Sequence, residues 1–262
     1  MKYHKPETLA EAVADLKADD EAKPLSGGQT LLPTIKQRLA DPSVLIDVRG
    51  LPGMVGISRE GDTLVIGAGT THAAVASDAA VNAAIPGLAR LAGGIGDPAV
   101  RHMGTIGGSV ANNDPAADYP AAVLGLGATV VTDRREIAAD DFFEGMFATA
   151  LDEAEVITAI RFPVPEKAAY AKFPNPASRY ALVGVFVAVT GGKVRVAVTG
   201  ASGDGVQLVS PLQDQLDGSF TAAAVDAAEV SEDGLMTDMH ASAAYRAHLI
   251  KVMAKRAVIA AG

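Results

Sequence analysis

Leu25-Ser-Gly-Gly-Gln-Thr-Leu-Leu-Pro33 and Gly104-Thr-Ile-Gly-Gly-Ser109 are the two stretches on which the reading of this chain turns. Each joins paired glycines to small hydroxyl residues beside apolar sequence, as a turn that presents backbone N–H groups to an anion would. Glycine lets main chain approach a phosphate with no Cβ in the way, and consecutive amides form a concave donor site. Either stretch alone is better explained as an ordinary turn. Together, and with Asp114-Pro-Ala-Ala-Asp118 after the second, they predict a diphosphate held from two sides. That points to a dinucleotide cofactor.

The familiar nucleotide fingerprints do not account for it. Gly67-Ala-Gly69-Thr-Thr-His72 follows an expected strand and precedes an expected helix, but it lacks the third glycine. Gly94-Ile-Gly96-Asp-Pro-Ala99 follows a helix and carries proline in the turn. Neither meets the Rossmann pattern in its required context, and no P-loop lysine follows either main stretch. The five histidines show no metal-ligand spacing and read as surface or packing residues. Ser202 and Ser210 sit in no nucleophile elbow, so hydrolytic chemistry is not indicated. Asp118 reads equally as the N-cap of the next helix or as an acceptor for sugar-like hydroxyls. Tyr180, beside Arg179 at the head of an apolar strand, reads by default as half-buried core, with an aromatic against a flavin ring as the alternative.

Composition narrows the classes further. The 262 residues are 49% hydrophobic, enough for one large domain or two to three subdomains with real cores. A net charge of −9 without a basic block makes nucleic acid and acidic membranes poor partners. Met1-Lys-Tyr-His-Lys-Pro-Glu7 lacks the apolar core of a signal peptide, and the longest apolar run, Tyr180 to Val189, is too short to span a bilayer. A cytoplasmic protein is expected. With no cysteine, disulfides, thiolate catalysis and cysteine-ligated iron–sulfur clusters are excluded from this chain.

The element pattern is α+β in three pieces, 1–53, 54–174 and 175–262, with breaks at Gly50-Leu-Pro-Gly53 and Phe173-Pro-Asn-Pro176. Thr8-Leu-Ala-Glu11 is a capping box opening a helix to about Ala18. The first glycine stretch leads to a helix over Thr30–Leu39, and Val44–Val48 is a buried strand. Strands are expected at Thr63–Ile66, Ala128–Thr132 and Val156–Phe162. Short helices are expected at Thr71–Ser77, Asn82–Leu91 (broken at Ile85-Pro86) and Asp118–Leu126. Leu182–Val189, Gly191-Gly192 and Val194–Thr199 read as a hairpin with a glycine turn. Two or three helices close the chain, the last over Ser242–Ala260.

Ser26–Pro33, Ile66–His72, Val100–Ser109, Asp114–Asp118, Ser178–Val185 and Ser242–Leu249 together, in this order, resemble one family. It is the FAD-binding medium subunit of aerobic carbon monoxide dehydrogenase and related xanthine-dehydrogenase-type molybdenum hydroxylases. The resemblance runs over essentially the whole length. It implies an FAD-binding fold of the vanillyl-alcohol-oxidase (PCMH) type in two subdomains, followed by a C-terminal α+β domain with an antiparallel sheet. It further implies that Ser26, Gly27, Gly28, Gln29, Thr30 and Thr105, Ile106, Gly107, Gly108, Ser109 bind the FAD diphosphate. By the same likeness Asp118 contacts the ribityl chain and Tyr180 lies near the isoalloxazine. Lys172 lies near the cofactor, and Ile95 and Val156 give backbone or apolar contacts. The implied role is electron transfer from the clusters of an iron–sulfur small subunit, beside a molybdenum-cofactor large subunit, to an external acceptor. A dimer of heterotrimers is the implied assembly. The alternatives are a stand-alone flavin oxidoreductase of the same fold and a flavin-free scaffold subunit. Asn112-Asn113 and Gly203-Asp-Gly-Val206 depart from the family pattern, the first beside the expected flavin site and the second in the expected partner-contact region.

Overall fold

The computed structural model describes residues 1–262. The chain opens with β1 (Lys2–His4), α1 (Leu9–Ala18), β2 (Lys23–Leu25), α2 (Leu31–Lys36) and β3 (Val44–Asp47). β3 lies between β1 and β2 and pairs with both in parallel, so the crossover helices are obligatory. Thr8 caps α1 through its hydroxyl, which accepts from the Glu11 N–H, while Glu11 accepts in return from the Glu7 N–H.

A second sheet follows, built from β4 (Ile57–Glu60), β5 (Thr63–Gly67), β6 (Thr129–Thr132) and β7 (Glu136–Ala138), together with β10 (Ile157–Pro163) at its centre. Its order is β4-β5-β10-β6-β7, antiparallel throughout. Between β5 and β6 the chain runs through α3 (His72–Ser77), α4 (Ala79–Ala84), α5 (Pro86–Gly93), α6 (Pro98–Met103), α7 (Ile106–Asn112) and α8 (Tyr119–Gly125). Between β7 and β10 a small hairpin forms from β8 (Phe143–Gly145) and β9 (Ala148–Thr149).

The third sheet holds β11 (Lys167–Pro174), β12 (Ala181–Thr190), β13 (Lys193–Thr199) and β14 (Gln207–Leu208), covered by α9 (Ser210–Gly218), α10 (Ala222–Ala227) and α11 (Ala243–Ala261). Gly191 and Gly192 take φ of 58° and 73°, the backbone that a two-residue hairpin turn of matching twist requires. β11 pairs with β12 along its length. It lies inside the 54–174 piece expected from sequence, yet it belongs to the sheet of the piece that follows. The change of sheet therefore falls between Pro163 and Lys167.

β12 explains its own unbroken apolar run. Val183, Val185 and Val187 face the core under α11, whereas Phe186 and Ala188 face the core shared with the first two sheets. A strand buried on both faces loses the alternation of a half-exposed one. The third sheet is tied to the others through the Asp114–Asp118 segment: the Thr199 hydroxyl donates to the carbonyls of Pro115 and Ala117, and the Gly200 N–H donates to Pro115.

Candidate functional site

A cleft of about 700 Å³ runs between the first glycine stretch, α7 and the head of β12. Ser26, Gly27, Gly28, Gln29, Thr30, Ile95, Thr105, Gly107, Gly108, Ser109, Asp118, Val156 and Tyr180 all line it. Ile106 and Lys172 do not: Ile106, the first residue of α7, is fully buried, and Lys172 stands behind Asp118.

The first glycine stretch links β2 to α2. Gly28 has φ +70°, and the N–H groups of Gly27, Gly28, Gln29 and Thr30 donate to no group of the protein. A run of unpaired amides on the wall of a cleft is a ready donor site for an anion. Gly27 is packed so closely on the other stretch that a Cβ would come within 2.4 Å of the Met103 carbonyl oxygen. The Ser26 and Thr105 hydroxyls meet at 2.9 Å and join the two stretches.

The second stretch differs from the open turn expected of it. It is the first turn of α7, with Thr105 as N-cap, its hydroxyl accepting from the Gly108 N–H. The Ile106 and Gly107 amides donate to the carbonyls of Thr70 and Ala68, so they are committed within the protein. Gly107 is required for packing, since a Cβ there would lie 2.5 Å from that of Ala68. Its φ is not positive, nor is that of Gly108. What this side offers the cleft is the Thr105 N–H, which has no protein acceptor, the exposed Gly108 and the Ser109 side chain.

Asp118 occupies the N-cap position of α8 but its side chain caps nothing. Its carboxylate accepts instead from the Tyr170 hydroxyl and from Lys172 Nζ at 3.0 Å. Gly184 makes this possible: a Cβ on that residue of β12 would collide with the Tyr170 hydroxyl. Burial pushes the Asp118 carboxyl above its ordinary range, and the Lys172 ammonium and the Tyr170 hydroxyl pull it back. Burial and the neighbouring Asp118 charge raise the Tyr170 phenol. Lys172 also donates to the carbonyls of Gly94 and Arg179, tying the α5–α6 turn to the residue before Tyr180. Tyr180 is half-buried, 46% exposed at the cleft mouth, and belongs to neither core. Burial first, then Asp114 and Asp118, raise its phenol.

Sequence reasoning passed over several residues that line this cleft. His72, set aside as packing, is there, as are Arg179 and Glu155. The Ile66–His72 motif was the available signal for His72. Glu155 accepts from Arg135, from the Asp152 N–H and from Thr132, which against the effect of burial hold its carboxyl down at about 2. Asn113, one of the departures from the family pattern, lies below the wall; it has φ +43° and donates to the carbonyls of Gly145 and Ala148. The only histidine–carboxylate group within mutual ligand reach is His4 with Glu11 and Asp15, half-open to solvent on the surface of the first sheet.

Residues 1–165 match the family model described as the FAD binding domain in molybdopterin dehydrogenase. The nicotine 6-hydroxylase medium subunit of Paenarthrobacter nicotinovorans is 34% identical over 100% of this chain and 97% of its own. The carbon monoxide dehydrogenase medium chain of Afipia carboxidovorans is 39% identical, covering 98% and 94%. Among solved structures, a Cu,Mo-CO dehydrogenase in its cyanide-inactivated form superposes with a TM-score of 0.91 at 36% identity, covering 100% of this chain and 97% of that one.

The chain belongs to the family of FAD-binding domains of molybdopterin dehydrogenases, a class of oxidoreductase flavoproteins. Its cofactor is FAD. The cleft fits that group by its own chemistry: unpaired amides for a diphosphate, a buried carboxylate for hydroxyls and an aromatic at the mouth. Its volume is that of an ordinary cofactor site. No helix is long and apolar enough to cross a membrane.

Proposed function

We propose that this chain is the FAD-carrying electron-transfer subunit of a molybdenum hydroxylase. The observation that carries the reading is the run of four unpaired amides, Gly27 to Thr30, clasped against Met103, Gly104 and Thr105. In this reading Ser26 to Thr30 hold the diphosphate from one side, and Thr105, Gly108 and Ser109 hold it from the other. Ile106 and Gly107 anchor that turn on the loop after β5. Asp118 accepts from ribityl hydroxyls with lone pairs that Tyr170 and Lys172 leave free, and Lys172 acts through it. Tyr180 borders the isoalloxazine, with Ile95 and Val156 as apolar neighbours.

FAD supplies redox chemistry that links one-electron and two-electron exchange. The chain's own work is to bind and orient the group and to leave one edge reachable. No side chain is called on as acid or base. Since there is no cysteine, the clusters that deliver electrons sit on an iron–sulfur small subunit, with the substrate handled by a molybdenum-cofactor large subunit. Relatives named as the medium chain of a dehydrogenase and the medium subunit of a hydroxylase support such partners, and a dimer of heterotrimers is the assembly we propose. The same reading places the complex in the cytoplasm. We take the three structural pieces to follow the sheets, changing near residue 53 and between Pro163 and Lys167.

Affinity purification of the tagged chain from its own cells tests the assignment. Iron–sulfur and molybdenum subunits are expected to co-purify, and the single chain is expected to turn over no organic substrate. Turnover by the single chain without other subunits contradicts the reading.

A further inference from the structure

His72 opens α3, and its N–H donates to the Gly104 carbonyl at 3.0 Å. The side chain is 5% exposed and lines the cleft. Nδ1 is buried without a partner. Nε2 makes no hydrogen bond to the protein either and, unlike Nδ1, is not fully buried. It lies against Gly104, where a Cβ would come within 2.6 Å of it. Gly104 Cα in turn faces Gly27, whose own Cβ would approach it to 2.6 Å. The imidazole therefore stands at the seam between the two glycine stretches, in room left by a missing Cβ.

Burial, reinforced by the Arg101 cation, lowers the imidazole to about 4, so the ring is neutral near pH 7 and carries one N–H. On Nδ1 that proton would be a buried donor with no acceptor, a rare and costly state. On Nε2 it becomes a donor at the seam of the two glycine stretches, on a residue that lines the cleft. A neutral donor also adds an N–H to an anion site without burying a positive charge.

We propose that His72 is a cofactor-binding residue, its Nε2–H donating to the diphosphate of the dinucleotide beside the Gly27–Thr30 amides. The inference rests on the FAD reading above and adds a residue to it. A purely structural role, packing on Tyr119 with ring centroids 5.3 Å apart, would be served equally by phenylalanine.

The test uses the full chain in its complex, deflavinated, with FAD, ADP and riboflavin as probes. His72→Phe is expected to weaken FAD and ADP binding by about tenfold or more, the scale of a hydrogen bond to a charged group. Riboflavin, which has no phosphate, is expected to bind as it does to the parent. His72→Gln, which keeps an N–H, is expected to recover part of the loss. Nitrogen NMR of the parent chain should show the Nε2-protonated tautomer, with that proton shifting on addition of ADP. Parental FAD and ADP affinity in His72→Phe overturns the proposal. So does an Nδ1-protonated ring indifferent to ADP, a readout that stands even where the variant fails to fold. A parent chain that takes up neither FAD nor ADP contradicts the FAD reading itself, whereas normal uptake by both parent and His72→Phe contradicts only the role of His72.

Discussion

Asp118 is buried but partnered: burial still raises its carboxyl, while the Lys172 ammonium, only 3.0 Å away, and the Tyr170 hydroxyl both donate to it and offset part of that cost. His72 is the opposite case, a buried ring with no protein partner on either nitrogen, and its titration should be visible in stability. The unfolded imidazole titrates near 6.5 and the folded one at about 4. Between those values the unfolded chain binds a proton that the folded chain refuses. Stability is therefore fully present above pH ~6.5, declines as pH falls, and levels off below about 4. The contribution amounts to about 3 kcal/mol at most. Denaturant unfolding of parent and His72→Phe at matched pH values checks this. The parent should lose more stability on acidification, and equal acid losses would contradict it.

At the scale of elements, the two glycine stretches look alike in sequence and do different work. Gly107 seats α7 against Ala68, so Gly107→Ala is expected to lower the stability of the flavin-free protein by about 1–3 kcal/mol through overpacking. A Cβ on Gly108 meets only the Thr105 hydroxyl, so Gly108→Ala should cost about 1 kcal/mol, the worth of the cap. Unfolding midpoints of the two variants measure the difference, and equal losses would contradict this division. The sequence could not show it, because Ala68 reaches Gly107 only through tertiary packing. Elements with local signals were legible: the Thr8 capping box, the Ile85-Pro86 break and the Gly191-Gly192 turn all stand where expected. The three-residue strands β1 and β2 were not, since too few residues exist to set a period. β11 escaped notice because its mixed run, Lys-Ala-Ala-Tyr-Ala-Lys, carries weak strand propensity and takes its place from pairing with β12. Of the candidate site, the glycine stretches, Asp118 and Tyr180 were legible as motifs. His72 lay within the legible Ile66–His72 motif, but its unpartnered ring shows only in the packed structure.

Over the whole molecule, two buried cores of 39 and 21 residues share the third sheet as their partition. Asp114–Asp118 is the seam that docks on that partition and also brings its last carboxylate to the cleft. The cleft is thus lined by residues beside all three sheets, so on the proposed reading flavin content reports the fold as well as binding. Gly27 is the contact that joins the two stretches, because any side chain there meets the Met103 carbonyl and parts them. The central claim is tested most directly by flavin released on acid precipitation of the chain purified in its complex, identified and counted against protein, for the parent and Gly27→Val. The account predicts FAD, non-covalently bound and equimolar with the parent chain, and its loss from Gly27→Val. A colourless parent complex, flavin retained in the pellet, or full FAD content in Gly27→Val would contradict it.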